Sequence, residues 1–287
     1  MTLLKELQVE DNILLQINFL KYAIVTVSLP AISLLWCFVT GIIFQFDQVN
    51  ETVCKAQNIV PSISAVTGIT PGAYVWRICI AIHCTPRFAV GFVHYNHYKK
   101  RAESISEKYR GLYLKLISLN FWIYQIENSC LVAVTYISNK ENYPVHEKIF
   151  VVFMISCCCY MLLNTIIFKW SRSSPMTERE LFSYKIKKYM WVLIMVSTAG
   201  LIYSFILHRF YCVPFAFSFF SACEYFIAYS NMAYHVSAYL EFSDLSVVYG
   251  RLHTVQIPNN TNGTSIGNGE TKSIRRLRSR EKGEKVH

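Results

Sequence analysis

Charge is what this chain has least of. Asp, Glu, Lys and Arg make up 16% of its 287 residues, whereas 53% are hydrophobic. That balance excludes a soluble globular domain, which could not hide so much apolar surface, and indicates a membrane protein with several spans. The zincin, phosphate-loop and nucleophile-elbow signatures are missing too, so no familiar metalloprotease, nucleotide or serine-hydrolase chemistry is written in the chain. No internal repeat is visible, nor is a secretory signal pattern. The first apolar run begins only after Lys21 and is too long for a signal peptide's core, so it is expected to stay as a signal anchor. The charge that is present is unbalanced, at +10. Its basic residues sit in loops beside apolar runs, which makes the excess a signal of topology and no case for nucleic acid.

The apolar runs predict an all-α membrane protein, a bundle of about six transmembrane helices over residues 22–241. The spans are expected at about 22–44, 73–97, 112–137, 148–168, 189–207 and 214–240. Residues 1–21 are a short lead of mixed charge that could lie on the membrane surface. Residues 242–287 turn to Asn, Gly, Ser and Thr and then to the basic run Arg275–Arg280, which predicts a disordered tail, solvated or touching anionic lipid. Lys99, Lys100, Arg101, Lys108 and Arg110 follow the second span, and Arg172, Arg179, Lys185, Lys187 and Lys188 follow the fourth. The opposite loops hold only Lys55, Lys140, Lys148 and Arg209. Lys and Arg accumulate in cytoplasmic loops, so both termini are expected in the cytosol.

On that topology the loops carrying Asn50, Cys54 and Cys212 are lumenal. Asn50-Glu51-Thr52 is then the accessible glycosylation sequon, while those at Asn259 and Asn262 lie on the wrong side. Cys54 and Cys212 stand where oxidation is allowed and are expected to bond, with two free thiols as the alternative. The other eight cysteines fall within spans, as small apolar fillers. A nucleophilic Cys84 beside His83 is the alternative reading for one of them.

Polar residues inside the spans are the informative ones, because charge in hydrocarbon is costly and by default faces a bundle interior. In the second span Arg77, His83, Cys84, Arg87, Gly91 and His94 fall within roughly a third of the helix circumference, and Pro86 should kink the helix among them. In the third span Asn120, Tyr124, Glu127, Asn128 and Thr135 share an arc of roughly 100°. In the sixth, Glu224, Ala228, Asn231 and His235 follow at intervals of 4, 3 and 4, again one face. At ~1.5 Å per residue, His83, Glu127 and Glu224 lie at similar depth, about ten residues from the lumenal ends. The economical arrangement turns the three faces together. Either arginine could pair with either glutamate merely to satisfy buried charge. Alternatively the faces line a pocket in which guanidinium forks hold a lipid phosphate and a His–Glu pair moves a proton. His94-x-x-His97 has metal-like spacing but sits at the interface, where histidine is common, and no metal site is assigned.

Several of these residues also carry a resemblance. Tyr74-Val75-Trp76-Arg77, His83 followed by Cys-Thr-Pro-Arg-Phe, and the run His94–Lys100 resemble the post-GPI-attachment-to-proteins factor 2 family. Ile126-Glu127-Asn128, Cys223-Glu224-Tyr225 and Asn231–His235 continue the likeness, which covers about residues 15–245. The resemblance implies lipid remodelling of GPI anchors, chiefly in the Golgi membrane with the endoplasmic reticulum as a second location. A lyso-GPI would there receive a saturated, typically stearoyl, chain at sn-2. It makes the chain a candidate acyltransferase, with no bound cofactor and with acyl-CoA or a phospholipid as donor. Its partners would be the lipid moiety of GPI-anchored proteins and membrane lipids. On this reading His83 with Glu127 or Glu224 is the acid–base element, and Arg77, Arg87, Asn128, Asn231 and His235 hold the headgroup. A non-catalytic partner presenting lyso-GPI to a separate enzyme, and a lipid or ion translocator, are the other classes open.

Overall fold

The computed structural model describes residues 7–172, 175–242 and 246–255. Six long helices dominate it: α1 (Phe19–Phe44), α4 (Gly72–Arg101), α5 (Glu107–Tyr136), α6 (Asn139–Trp170), α7 (Glu178–Tyr211) and α8 (Ala216–Val236). Short helices α2 (Phe46–Asn50) and α3 (Ile63–Thr67) lie in the first long loop, and α9 (Tyr239–Phe242) follows α8. Of these, α1, α6 and α7 are long and apolar enough to cross a membrane by length and composition.

Each long helix overlaps one predicted span, and several run past it, because a helix is started by its cap and not by the edge of an apolar run. Ser138 and Glu141 form a reciprocal capping box at the start of α6, as do Thr177 and Glu180 at α7. Each box satisfies donors that the first turn leaves unpaired. Within α6 the backbone leaves helical geometry at Asn142. The Asn142 side chain accepts from the Val145 amide, restarting the helix with Pro144 in its new first turn, where a proline is tolerated. Pro86 sits inside α4, which runs continuously through it.

The helices pack as neighbours in chain order: α4 on α5, α5 on α6, α6 on α7, α7 on α8, with α1 against α4 and α8. Tyr124, Met154, Tyr160, Ile194, Leu201 and Ile227 join α5 to α8 in one buried cluster. A second joins α1, the loop helices and α4 through Leu34, Val49, Val66, Trp76 and Ile80. Between apolar helices in lipid there is little hydrophobic drive, so close fit must supply the attraction. Gly91 shows it. A Cβ there would stand 2.6 Å from the Gln125 amide nitrogen and 2.9 Å from a Tyr124 ring carbon, so only glycine lets α4 approach α5 this closely. Leu35, Ile43, Trp122, Ile155, Val196 and Phe226 point outward and are exposed, an apolar exterior of the kind that lipid covers.

Cys54 and Cys212 are bonded, with Cα atoms 5.5 Å apart. The bond fastens the first loop to the α7–α8 turn, where the Phe215 amide also donates to the Gln57 carbonyl at 2.9 Å. That turn places Cys212 and Phe215 in left-handed backbone, at φ 49° and 60°. Asn50 is buried, donating to the Phe46 carbonyl at 3.1 Å and accepting from Asn58 at 3.1 Å. A sugar on the Asn50 nitrogen would displace the bond to the Phe46 carbonyl.

The ends of the chain depart from expectation. Leu7–Asn18 forms strand β1 and Ser246–Val255 strand β2, and the two pair in a two-stranded sheet. Val247, Val248, Thr254 and Val255 give β2 a β-branched content that suits a strand. Reading the whole region as a composition-biased tail overlooked it. The chain divides into a unit of residues 16–247, which holds the helices, and a unit of residues 1–15 with 248–287. The basic run Arg275–Arg280 lies outside the described residues.

Candidate functional site

Three polar helix faces predicted from spacing do meet. Arg87 of α4 and Glu127 of α5 form an ion pair at 3.0 Å, with side-chain exposures of 6% and 0%. The same Glu127 oxygen accepts from the Asn231 amide of α8 at 3.0 Å and lies 3.2 Å from His235 Nε2. Arg87 Nη2 also donates to His235 Nε2 at 2.8 Å. That bond needs an unprotonated Nε2, whereas donation from His235 to Glu127 needs a protonated one, so only one of the two holds at a time. Asn231 further donates to Cys157 Sγ of α6 at 3.0 Å. His235 stacks on Tyr160, with centroids 5.6 Å apart, and the Arg87 guanidinium lies over the Tyr124 ring at 5.5 Å.

His83 joins this cluster from one turn earlier on α4. Its Nδ1 donates to the Thr26 carbonyl of α1 at 2.7 Å, and its Nε2 accepts from Arg87 Nη1 at 3.4 Å. A carbonyl can only accept, so Nδ1 carries the proton and Nε2 keeps its lone pair. A backbone carbonyl of α1, and no carboxylate, thus fixes the tautomer. This revises the expected His83–glutamate contact: Glu127 reaches His83 only through Arg87. Glu224 is buried and accepts from the Ile63 amide at 2.7 Å, with no arginine beside it. It lines, with His83, Arg87, Asn231 and Met232, a mainly apolar cavity of about 100 Å³. That volume accommodates several waters or a short stretch of acyl chain.

The remaining candidates are placed elsewhere. Arg77 lies apart from the buried pair, donating to both Glu141 oxygens at 2.8 Å and to the Tyr136 carbonyl at 3.2 Å. It straps α4 to the α5–α6 junction. Asn128 donates to the Cys84 carbonyl at 3.1 Å, tying α5 to α4, and its carbonyl oxygen has no partner. Arg87 Nε and the second Glu127 oxygen are likewise buried without partners. Cys84 is buried and packs against Leu34 and Ile80, as a filler would. Among the described residues no His, Cys, Asp and Glu cluster could hold a metal.

A second charged cluster escaped the sequence reading. Lys187 of α7 meets Glu241 of α9 at 2.8 Å, with side-chain exposures of 1% and 0%. Lys187 also donates to Ser237 at 2.9 Å, and the Tyr98 hydroxyl donates to Glu241 at 2.6 Å. Burial alone would raise the Glu241 carboxyl. The charges of Lys187 and His94, with the hydrogen bonds from Lys187 and Tyr98, outweigh it and hold the group at about 2. Lys187 sits in the run Lys185-Ile186-Lys187-Lys188, which reads as a connector, and Glu241 falls at the last residue of the predicted membrane domain. Nothing local marks the two as partners.

Long helices with an apolar exterior, closed around an internal ion pair and a small cavity, define a helical membrane protein with a buried polar site. The chain belongs to the Frag1/DRAM/Sfk1/Cwh43P family, whose N-terminal domain matches residues 19–245, and within it to the post-GPI-attachment-to-proteins factor 2 group. It is 43% identical over 229 residues to "Post-GPI attachment to proteins factor 2-like" of Drosophila melanogaster, covering 78% of this chain and 70% of that protein. It is 35% identical over 236 residues to "Acyltransferase PGAP2" of Xenopus tropicalis, covering 81% and 91%. No solved structure matches.

Proposed function

We propose that this protein remodels GPI anchors by returning a saturated, typically stearoyl, chain to the sn-2 hydroxyl of lyso-GPI. We place it in the Golgi membrane with the endoplasmic reticulum as a second location. The printed names of its relatives, one of them an acyltransferase, support the reading. The observation that carries it is His83, held in the Nδ1–H tautomer on the wall of an apolar cavity.

In this reading His83 Nε2 exchanges its contact with Arg87 Nη1 for the lyso-GPI hydroxyl, whose oxygen attacks the acyl carbonyl of the donor, an acyl-CoA or a phospholipid, as its proton passes to Nε2. When the tetrahedral adduct collapses, the thiol or lysophospholipid leaves and takes that proton back. His83 ends as it began. Glu127 orients Arg87, and Arg87 orients His83. Among the described residues Glu224 is the carboxyl on the cavity wall and forms no ion pair, which suits it to a proton-handling role. Arg87 spends both terminal nitrogens on His83, Glu127 and His235, so holding a headgroup phosphate requires it to exchange one of them.

All six long helices cross the bilayer in this reading. In α4, α5 and α8 the polar faces that build the site lower hydropathy, although those faces are buried. The basic connectors after α4 and α6 put both termini in the cytosol. The test is reconstitution: purified full-length chain in liposomes with a lyso-GPI-anchored protein and either stearoyl-CoA or a stearoyl phospholipid. Reacylated anchor formed by this chain alone is the expected result, and the donor that works is identified at once. No product with either donor would leave the chain a lipid-presenting partner of another enzyme.

A further inference from the structure

A groove of about 660 Å³ opens between the ends of α6 and α7 that carry the basic connector. Leu162 and Ile166 line its apolar part, and Lys169, Arg172 and Lys188 its cationic end, with Trp170, Tyr184 and Trp191 along the walls. We propose that this groove binds an anionic phospholipid. Its phosphate would sit among Lys169, Arg172 and Lys188, and one chain would run along Leu162 and Ile166.

Geometry and charge favour that occupant. From Leu162 to Lys169 α6 rises about 10 Å, comparable to the depth between a phosphate and the upper part of its acyl chain. Leu162 and Ile166 are exposed on α6, and α6 and α7 are two of the three described helices apolar enough to cross a membrane, so the groove between them opens toward lipid. Tryptophan and tyrosine beside lysine are the residues of a headgroup belt. The Arg172 side chain is 4% exposed and lies over the Phe168 ring at 4.5 Å. One terminal nitrogen pairs with Glu180 at 3.0 Å and the other lies 3.6 Å from Glu241, while its Nε has no partner. Those carboxylates offset Arg172, so the attraction for an anion comes chiefly from Lys169 and Lys188, both exposed at the groove's edge. Nothing in the acyl-transfer reading uses these residues.

The experiment is lipid titration of the purified full-length protein by native mass spectrometry, using dioleoyl phosphatidic acid, dioleoyl phosphatidylcholine and palmitoyl-CoA. Phosphatidic acid is expected to bind more tightly than phosphatidylcholine. The double variant Lys169→Ala/Lys188→Ala should weaken it roughly 25-fold, at about fivefold for each lysine near an anionic lipid. Lys99→Ala/Lys100→Ala removes the same charge from the other basic connector and should leave binding unchanged. Equal weakening in both double variants would reduce the site to diffuse attraction and end the proposal. So would phosphatidylcholine binding as well as phosphatidic acid. Tighter, Lys169- and Lys188-dependent binding of palmitoyl-CoA would give the groove to a nucleotide thioester and overturn the phospholipid assignment.

Discussion

Two of the buried ion pairs are built from the same chemistry and set in different surroundings. Lys187 and Glu241 close on each other: the lysine has Ser237 as a second partner, and the glutamate has Tyr98. Arg87 and Glu127 also close on each other, and in both pairs a buried carboxylate oxygen is left without a hydrogen bond, but of these four residues only Arg87 lies on the wall of the cavity beside His83. The Lys187–Glu241 pair fastens α7 to α9. The Arg87–Glu127 pair stands beside a cavity, where its unpartnered atoms are within reach of a ligand, because buried polar groups are otherwise hydrogen-bonded. Burial of charge therefore does not by itself mark a site. Access from a cavity does.

The largest expected effect breaks the Lys187–Glu241 pair. Glu241→Gln leaves the Lys187 ammonium buried without a counter-charge, and removing one partner of a buried pair costs about 3–5 kcal/mol. Thermal unfolding of the purified protein should show it as a large loss of stability, and cells should hold little of the variant. The same pair sets a pH limit. The Glu241 carboxyl has an ordinary value of 4.5 and is held at about 2. Its stabilisation is thus complete above about 4.5 and is lost as pH falls toward 2. Melting temperature in the wild type should fall through that acid window, and the fall should be shallower in Glu241→Gln. An identical acid profile in the two would remove Glu241 from the account.

The second effect is on activity and not on folding. His83→Ala removes the proposed base, and loss of a general base typically costs 10²–10⁴-fold in rate. Glu224→Gln keeps an oxygen for the Ile63 amide and should preserve abundance while lowering remodelling. Lyso-GPI measured per molecule of correctly localised protein separates chemistry from stability. Wild-type turnover in both variants would return the Arg87 cluster to the same structural class as the Lys187 pair.

The smallest effect belongs to Arg77 and Glu141, whose side chains are 25% and 52% exposed. Exposed pairs contribute about 0–1 kcal/mol, so Arg77→Ala should change melting temperature little and leave remodelling near normal. A loss of remodelling as deep as that of His83→Ala would show that Arg77 handles the headgroup directly.

The sequence made the helical layout and the inward faces readable, because both follow from periodicity along one helix. Glu224, Asn231 and His235 repeat at helical intervals, and all three come to the interior. Pairing was not readable. Two arginines and two glutamates on facing helices allow several matches, and the choice of Glu127 for Arg87, with Glu141 for Arg77, depends on axial register between helices. Glu141 stood in a loop as read by hydropathy, although its capping box makes it the start of α6. Lys187 and Glu241 lie 54 positions apart and carry no motif, so only the fold brings them together. The strand at Ser246–Val255 was hidden because its partner lies near the other end of the chain.

The placement of Arg87 and Glu127 on consecutive helices also bears on how the chain is made. Thr26 and His235 belong to α1 and α8, so the complete site cannot exist until synthesis has passed α8. Arg87 and Glu127 are 40 residues apart and need only α4 and α5. On the six-span reading proposed above, a lone α4 entering the bilayer would expose a guanidinium to hydrocarbon, at a cost of a few kcal/mol or more. Entry together with α5 hands that charge its carboxylate at once. On that reading the two helices insert as a pair, and the cavity is assembled later around charges already neutralised.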